Sequence, residues 1–294
     1  MIRPGALWPA LVAQTRAAED SGALQPIETV QRLVEDRGVR FVIRQVSSLA
    51  CKARDGPAPG TKPADPFLPY EEPLYVAEVS DTHVALLNKF NVIPHHLLIV
   101  TRRFEDQVQV LTVADFEALW ICMAEFEALG FYNGGAVAGA SQPHKHLQMV
   151  PLPLAPSAPA VPMEALLDKV SGPGPAPVPG LAFAHAFCRL PAGLEKNPAA
   201  ALSQRLYLEL LAAAGVPPVA SIHGLRQSAP YNLLVTRDWM LLVPRSREHF
   251  GNISVNALGY AGSLFVRDDS QMEQLISAGP MDVLAAVGVS RKHD

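Results

Sequence analysis

Apolar positions along the chain switch between two periods. Tyr75 to Glu78, Val84 to Leu87 and Leu97 to Thr101 are short runs of the branched and aromatic residues that pack on a pleated sheet. From Asp115 to Leu129 the spacing becomes helical, with Phe116, Leu119, Trp120, Met123 and Phe126 on one face. Thr112 and Asp115 are candidate caps for that helix, and Gly130 is where it should stop. Phe131-Tyr132-Asn133-Gly134-Gly135 then reads as a turn-rich segment, and His144 to Val150 as another strand.

Prolines mark the seams. Nine lie between Pro151 and Gly180, and a backbone so short of amide donors cannot sit inside a sheet or helix. Only Met163 to Val170 could coil there for a turn or two. Gly56 to Pro73 is a second proline-rich stretch and reads as a long surface loop, of the length that usually carries function. The chain is therefore expected to divide into residues 1–160, a linker at 161–180, and residues 181–294. The second half repeats the first loosely. Val84 to Arg102 and Tyr231 to Arg245 each offer two apolar strands about a polar turn, ending on a base, and each reads as a hairpin. This weak duplication equips one half only, because the second half has no counterpart of His144-Lys145-His146.

Composition narrows the class. Hydrophobic residues make up 49% of the chain and charged ones 18%, which supplies a core and excludes a disordered chain. A net charge of −4 leaves no basic excess for gripping nucleic acid nonspecifically. No apolar run approaches the ~20 residues of a membrane helix, and Met1 to Ala18, broken by Pro4, Gly5 and Pro9, fails as a secretory signal. Cys51, Cys122 and Cys188 are too few and scattered for a disulfide framework. A cytoplasmic protein is expected.

The informative segment is Gly139-Ala140-Ser141-Gln142-Pro143-His144-Lys145-His146-Leu147-Gln148. On a strand, His144, His146 and Gln148 line one face at ~7 Å intervals while Lys145 and Leu147 point away. His-x-His alone is compatible with zinc ligation, catalysis or packing. No carboxylate or cysteine lies within several residues to complete a zinc shell, which argues against a metal. Gly134, Gly135 and Gly139 upstream would let backbone amides approach an anion.

Tyr132 to Gln148 resembles the active-site signature of the diadenosine tetraphosphate phosphorylases, or ATP adenylyltransferases, of the histidine-triad superfamily. Asp65 to Glu71, Leu87 to Phe90, Pro94 to Arg102, Tyr231 to Ser246 and Asn256 to Gly262 are similar to that family too. The resemblance implies an α+β fold, a histidine-triad-like antiparallel sheet with flanking helices, internally duplicated into a pseudo-dimer. It implies that His146 attacks the α-phosphorus of the dinucleotide, that ATP leaves, and that phosphate takes the AMP from His146 as ADP. His144 and Gln148 complete the catalytic set. Gln148 stands where hydrolases of the superfamily carry a third histidine; a departing triphosphate is a weak base and needs little acid help. Gln148 can instead bond a phosphoryl oxygen or the incoming phosphate. A hexose-1-phosphate uridylyl transferase is a rival, opposed by the lysine between the histidines and the missing cysteine pairs. A catalytically silent dinucleotide sensor is another.

Other positions have a plain reading beside the one the resemblance implies. Lys52, Arg54 and Lys62 could neutralise polyphosphate or be solubilising charge; the resemblance favours Lys52. Asn88, Lys89 and Asn91 sit at a turn, and Asn133 precedes two glycines; asparagine serves turns, yet all four stand near family substrate contacts. Gly139, Ala140, Ser141 and Gln142 could cradle phosphate, and Asn232 and Arg245 match family positions near substrate. His95 and His96 read as partly buried histidines bonding backbone. Partners expected are small molecules, namely the dinucleotide, phosphate, ATP and ADP, with no nucleic acid or membrane, for a monomer or small homo-oligomer. Magnesium (Mg2+) is expected to accompany the polyphosphate through substrate oxygens, with no protein metal site.

Overall fold

The computed structural model describes residues 2–46, 65–172, 174–191, 199–222 and 224–291. Helix α1 (Leu7–Asp20) opens the chain, followed by the hairpin β1 (Thr29–Asp36) and β2 (Val39–Val46). Strands β3 (Tyr75–Glu78), β4 (His83–Leu87) and β5 (Leu97–Thr101) lead to α2 (Val113–Met123), then β6 (Ala128–Gly134) and β7 (His146–Pro151). After the short α3 (Glu164–Leu167) come β8 (Ala186–Arg189), α4 (Ala199–Ala213), and the hairpins β9 (Val219–Ser221) with β10 (Gly224–Arg226) and β11 (Tyr231–Val235) with β12 (Trp239–Pro244). The chain closes with β13 (His249–Phe250), β14 (Ile253–Ser254), α5 (Ala257–Tyr260), β15 (Ser263–Val266), α6 (Asp269–Ala278) and α7 (Pro280–Val287).

The frame is one eight-stranded sheet in the order β3-β4-β5-β7-β6-β11-β12-β8, antiparallel throughout. This is the α+β fold with a large antiparallel sheet that the resemblance implied. Both hairpins read from the sequence belong to it, as β4–β5 and β11–β12. The sheet runs unbroken across the proline-rich linker, because β6 pairs with β11, setting Asn133 opposite Asn232.

Each face of the sheet has its own core. On one, Leu97, Ile99, Leu147, Met149, Leu233 and Leu242 pack beneath α1, α2 and α4. On the other, Phe131, Val150, Leu241 and Val243 meet β2, α5 and α7. That second covering stops short of the β3–β5 edge. There Phe67 closes over Val84, Leu86, Leu98 and Val100 as a separate small cluster.

Two boundaries differ from the sequence reading. The helix begins at Val113, with Thr112 and Asp115 forming a reciprocal capping box as expected, but it ends at Met123 rather than Leu129. Arg237 reaches across from the β11–β12 turn and donates to the Met123 carbonyl at 3.0 Å, satisfying an orphan acceptor at the helix end. Phe126, which continued the helical spacing, instead packs on Trp8 of α1, with ring centroids 4.7 Å apart. The segment Ala128–Gly134, expected to finish the helix and turn, is a fully buried central strand. Its glycines are spacers: a Cβ on Gly130 would lie 2.8 Å from Leu119, and one on Gly134 2.6 Å from Gln227. The second difference is that β7 starts at His146, two residues after the expected start, and His144 makes a single antiparallel bridge to Asp106.

Candidate active site

Where the second core leaves the sheet uncovered, a cavity of about 170 Å³ opens over β4, β5 and β7. Phe67, Tyr70, Leu74, Leu86, Phe90 and Leu98 give it apolar walls. Asn88, Lys89, Ser141, Gln142, His146 and Gln148 bring polar groups into it. Six of the sequence-predicted site residues therefore converge here from three separate stretches of chain. The register explains the pair on β7: His146 opposes Val100 and Gln148 opposes Leu98, so both share the cavity face while Leu147 and Met149 enter the helix-covered core.

His146 is held on every side but one. Its backbone N–H donates to Gln107 Oε1 at 2.8 Å, and Gln107 Nε2 donates back to the His146 carbonyl at 3.2 Å. The buried Gln107 side chain thus replaces the neighbouring strand, since β6 pairs with β7 only as far as Phe131 opposite Gln148. The ring Nδ1 lies 2.7 Å from the His144 carbonyl, an acceptor only, so Nδ1 carries the proton. Nε2 is left with its lone pair and no hydrogen-bond partner among the described residues. Burial holds the imidazole down to about 4, against a smaller opposing effect of the bond to His144. At neutral pH the ring is uncharged and nucleophilic at Nε2.

His144 is fully buried and does not line the cavity. Its Nδ1 is 2.8 Å from Asp65 Oδ2, and its Nε2 is 2.9 Å from both the hydroxyl and the carbonyl oxygen of Thr101. The row of three side chains drawn from strand alternation is thus a pair, because His144 precedes the strand. Asp65 begins the strap that walls the cavity. Phe67 follows it and packs its ring 5.3 Å from that of His146.

Gln148 is oriented by His96, whose Nε2 lies 3.0 Å from Oε1. His96 Nδ1 in turn lies 3.2 Å from the Asn88 amide nitrogen. His96 therefore bonds two side chains of the site, not backbone as its sequence suggested; burial brings its ring down to about 4. His95 meets Thr15 on α1. Lys89 spans the cavity mouth to both oxygens of Glu71, at 2.7 and 2.9 Å.

The other sequence-predicted residues lie elsewhere. Asn133, Asn232 and Arg245 are buried in one polar knot. Asn232 Nδ2 donates to Asn133 Oδ1 and to the Ala138 carbonyl, both at 2.8 Å, and Arg245 donates to Asn232 Oδ1 at 2.6 Å. The Ala257 amide donates to Asn133 as well, at 3.0 Å. The knot grips the loop leading into Ser141 and Gln142. Gly139 has φ +90°, and a Cβ there would stand 2.8 Å from that of Asn256. Ala140 anchors this loop through its amide, 3.2 Å from the Gly135 carbonyl. Asn91 is buried, donating to the Ile93 carbonyl at 3.1 Å, and is not part of the cavity wall. Lys52, Arg54 and Lys62 lie outside the described residues.

Sequence reasoning gave no site role to Asp65, His96, Thr101, Gln107 or Lys145. A signal existed for His96: in the β4–β5 hairpin Leu87 opposes Leu97, so Asn88 and His96 face each other one step on. None pointed to Lys145, whose fully buried ammonium bonds Asp115 at 2.7 Å and Glu105 at 3.0 Å behind the sheet. Burial alone would raise Asp115, but the His83 hydrogen bond and Lys145 bring it down to about 2.

Residues 1–169 match the Ap4A phosphorylase N-terminal domain, and residues 179–290 the ATP adenylyltransferase C-terminal domain. Diadenosine 5',5'''-P1,P4-tetraphosphate phosphorylase 2 of Saccharomyces cerevisiae is 28% identical over 299 residues, covering 88% of this chain and 86% of the yeast protein. Protein APA1 of the same yeast is 27% identical over 295 residues, with the same coverage of 88% and 86%. Among solved structures, yeast Ap4A phosphorylase Apa2 in complex with Ap4A superposes with a TM-score of 0.81 at 24% identity over 100% of both chains. Its complex with AMP gives 0.81 at 26% identity over 99% of each chain.

Proposed function

Because the chain belongs to the Ap4A phosphorylase family, we propose that it splits diadenosine tetraphosphate with inorganic phosphate into ATP and ADP, acting as a nucleotidyltransferase through a covalent adenylyl-histidine. The observation that carries this is the state of His146: Nδ1–H is bound to the His144 carbonyl, and the free Nε2 lone pair lies at a cavity lined by hydrogen-bond donors. The yeast relative named for this activity, and the yeast structures that hold Ap4A and AMP, support the same reading.

In the first step His146 Nε2 forms a bond to the α-phosphorus as the bond from that phosphorus to the bridging oxygen breaks, and ATP departs with the electron pair. In the second, a phosphate oxygen attacks the adenylyl phosphorus; the phosphorus–nitrogen bond breaks, its electron pair returns to Nε2, and ADP leaves. Dividing one displacement into two lowers each barrier. Gln107 and the His144 carbonyl keep the ring aimed and in one tautomer, so little reorganisation is needed at reaction. In this reading Lys89, Ser141 and Gln142, which line the cavity, meet phosphoryl oxygens, Lys89 by exchanging Glu71 for substrate. Asn88 and Gln148 share that wall.

Magnesium enters as part of the polyphosphate substrate. Glu71 at the cavity mouth is paired with Lys89 until substrate takes the ammonium, and Asp65 beside the cavity is committed to His144. The proposed compartment is the cytoplasm; the buried free thiols Cys122 and Cys188 suit a reducing one, and no helix among the described residues is long and apolar enough to cross a membrane.

The test is product analysis with diadenosine tetraphosphate and magnesium, with and without phosphate, beside His146→Ala. Phosphate-dependent ATP and ADP, absent in the variant, are expected, and intact mass should show one adenylyl group on the wild type without phosphate. Two ADP formed without phosphate would make the protein a hydrolase, and binding with no adenylyl adduct would make it a sensor.

A further inference from the structure

Gln148 faces the cavity beside the nucleophile, and its amide could present either a donor or an acceptor. The groups behind it decide which. The Phe90 backbone N–H, which can only donate, meets Asn88 Oδ1 at 3.3 Å. With its oxygen so engaged, Asn88 turns its Nδ2–H2 to His96 Nδ1 at 3.2 Å. His96 must then accept at Nδ1 and carry its proton on Nε2, which donates to Gln148 Oε1 at 3.0 Å. The Gln148 oxygen is thereby turned to His96, and the amide NH2 is the group that faces the cavity.

We propose that the Phe90 amide, Asn88 and His96 form a one-way hydrogen-bond relay that locks Gln148 with its NH2 toward the cavity, and that this donor selects an anionic acceptor, inorganic phosphate, over water. Asn88 and His96 are positioning residues in this scheme; Gln148 makes the contact. Selection follows from charge. A fixed N–H2 gains a charge-assisted hydrogen bond with phosphate and only a neutral one with water, whereas a reversed amide would turn its oxygen on the phosphate and repel it. A neutral His96 is required, since an imidazolium could not accept from Asn88. Its deep burial keeps it neutral at physiological pH.

The inference rests on the phosphorolysis reading, and the tests separate the two. Adenylylated enzyme is partitioned between phosphate and water, and ADP is measured against AMP. His96→Leu removes the relay without adding charge; the ADP to AMP ratio at fixed phosphate should fall about tenfold or more, the value of one charge-assisted bond. His96→Gln, whose amide can again donate to Gln148, should recover most of the ratio. A folded His96→Leu enzyme within about twofold of wild type would overturn the proposal.

Asn88→Asp supplies a second arm that does not depend on the His96 variants folding. A carboxylate cannot donate, so His96 should move its proton to Nδ1 and the relay should reverse. Nitrogen NMR of labelled histidine should show the Nε2–H tautomer of His96 in the wild type and the Nδ1–H tautomer in Asn88→Asp. The Nδ1–H form in the wild type, or no change in the variant, would refute the relay. A wild-type protein that takes no AMP from the dinucleotide would sink the phosphorolysis reading instead, while the nitrogen spectrum would still report on the relay.

Discussion

Lys145→Met tests how the strand carrying His146 is held. Lys145 is 0% exposed, and its ammonium donates to Asp115 Oδ2 at 2.7 Å, Glu105 Oε2 at 3.0 Å and the Val110 carbonyl at 3.4 Å. One side chain thus ties β7 to the first turn of α2 and to the segment entering it. Methionine fits the channel but removes the charge. Breaking a buried pair by deleting one partner costs about 3–5 kcal/mol, because the other charge stays uncompensated. Here the lower end applies: Asp115 keeps the Thr112 amide at 2.6 Å, the Thr112 hydroxyl at 2.8 Å and His83 at 3.1 Å. A loss of about 3 kcal/mol is expected in equilibrium urea unfolding. Because the penalty belongs to the orphaned carboxylate, Lys145→Met with Asp115→Asn should be more stable than Lys145→Met alone. The ammonium lies across the sheet from the cavity, so the dinucleotide KM of the folded variant should stay close to that of the wild type. A loss under about 1 kcal/mol would refute this account of the buried pair, as would a double variant no better than the single one.

Three further outcomes follow from the structure. His96 and His146 are both lowered to about 4, so each binds its proton more readily unfolded; stability is complete above about pH 6.5 and is lost as pH falls toward 4, which a pH series of urea melts will show. The acid limb of adenylylation should likewise lie near pH 4, and a limb near 6.5 would mean that His146 is not held neutral by burial. Gly139→Ala forces a side chain into φ +90° with its Cβ 2.8 Å from that of Asn256, at a cost of about 1–3 kcal/mol, and by shifting Ser141 and Gln142 should raise the dinucleotide KM. Unchanged stability and KM would show that the loop yields freely.

Much of this was legible in the chain. Short runs of branched and aromatic residues marked β3, β4, β5 and both hairpins, because strands covered on both faces, as β4, β5, β11 and β12 are, need apolar residues at nearly every position. Thr112 and Asp115 were legible as caps of α2, because the bonds a cap makes are to neighbours in sequence. In the Gly139 to Gln148 segment alternation put His146 and Gln148 on one face, and it was the family resemblance that singled out His146 as the proposed nucleophile.

What sequence could not supply was set by pairings across long separations. The strand Ala128–Gly134 looked like a helix tail followed by a turn, and only its burial between β7 and β11, against Leu119 and Gln227, makes its glycines useful as spacers. Asn133, Asn232 and Arg245 looked like separate substrate contacts until strand register set two of them side by side and tied the third to them. His96 seemed an ordinary buried histidine until the hairpin fold brought Asn88 to one nitrogen and the adjacent strand brought Gln148 to the other. The sequence determined which groups could react; tertiary packing decided which were aimed, desolvated and held in one tautomer, because those properties belong to neighbours that the chain brings together only on folding.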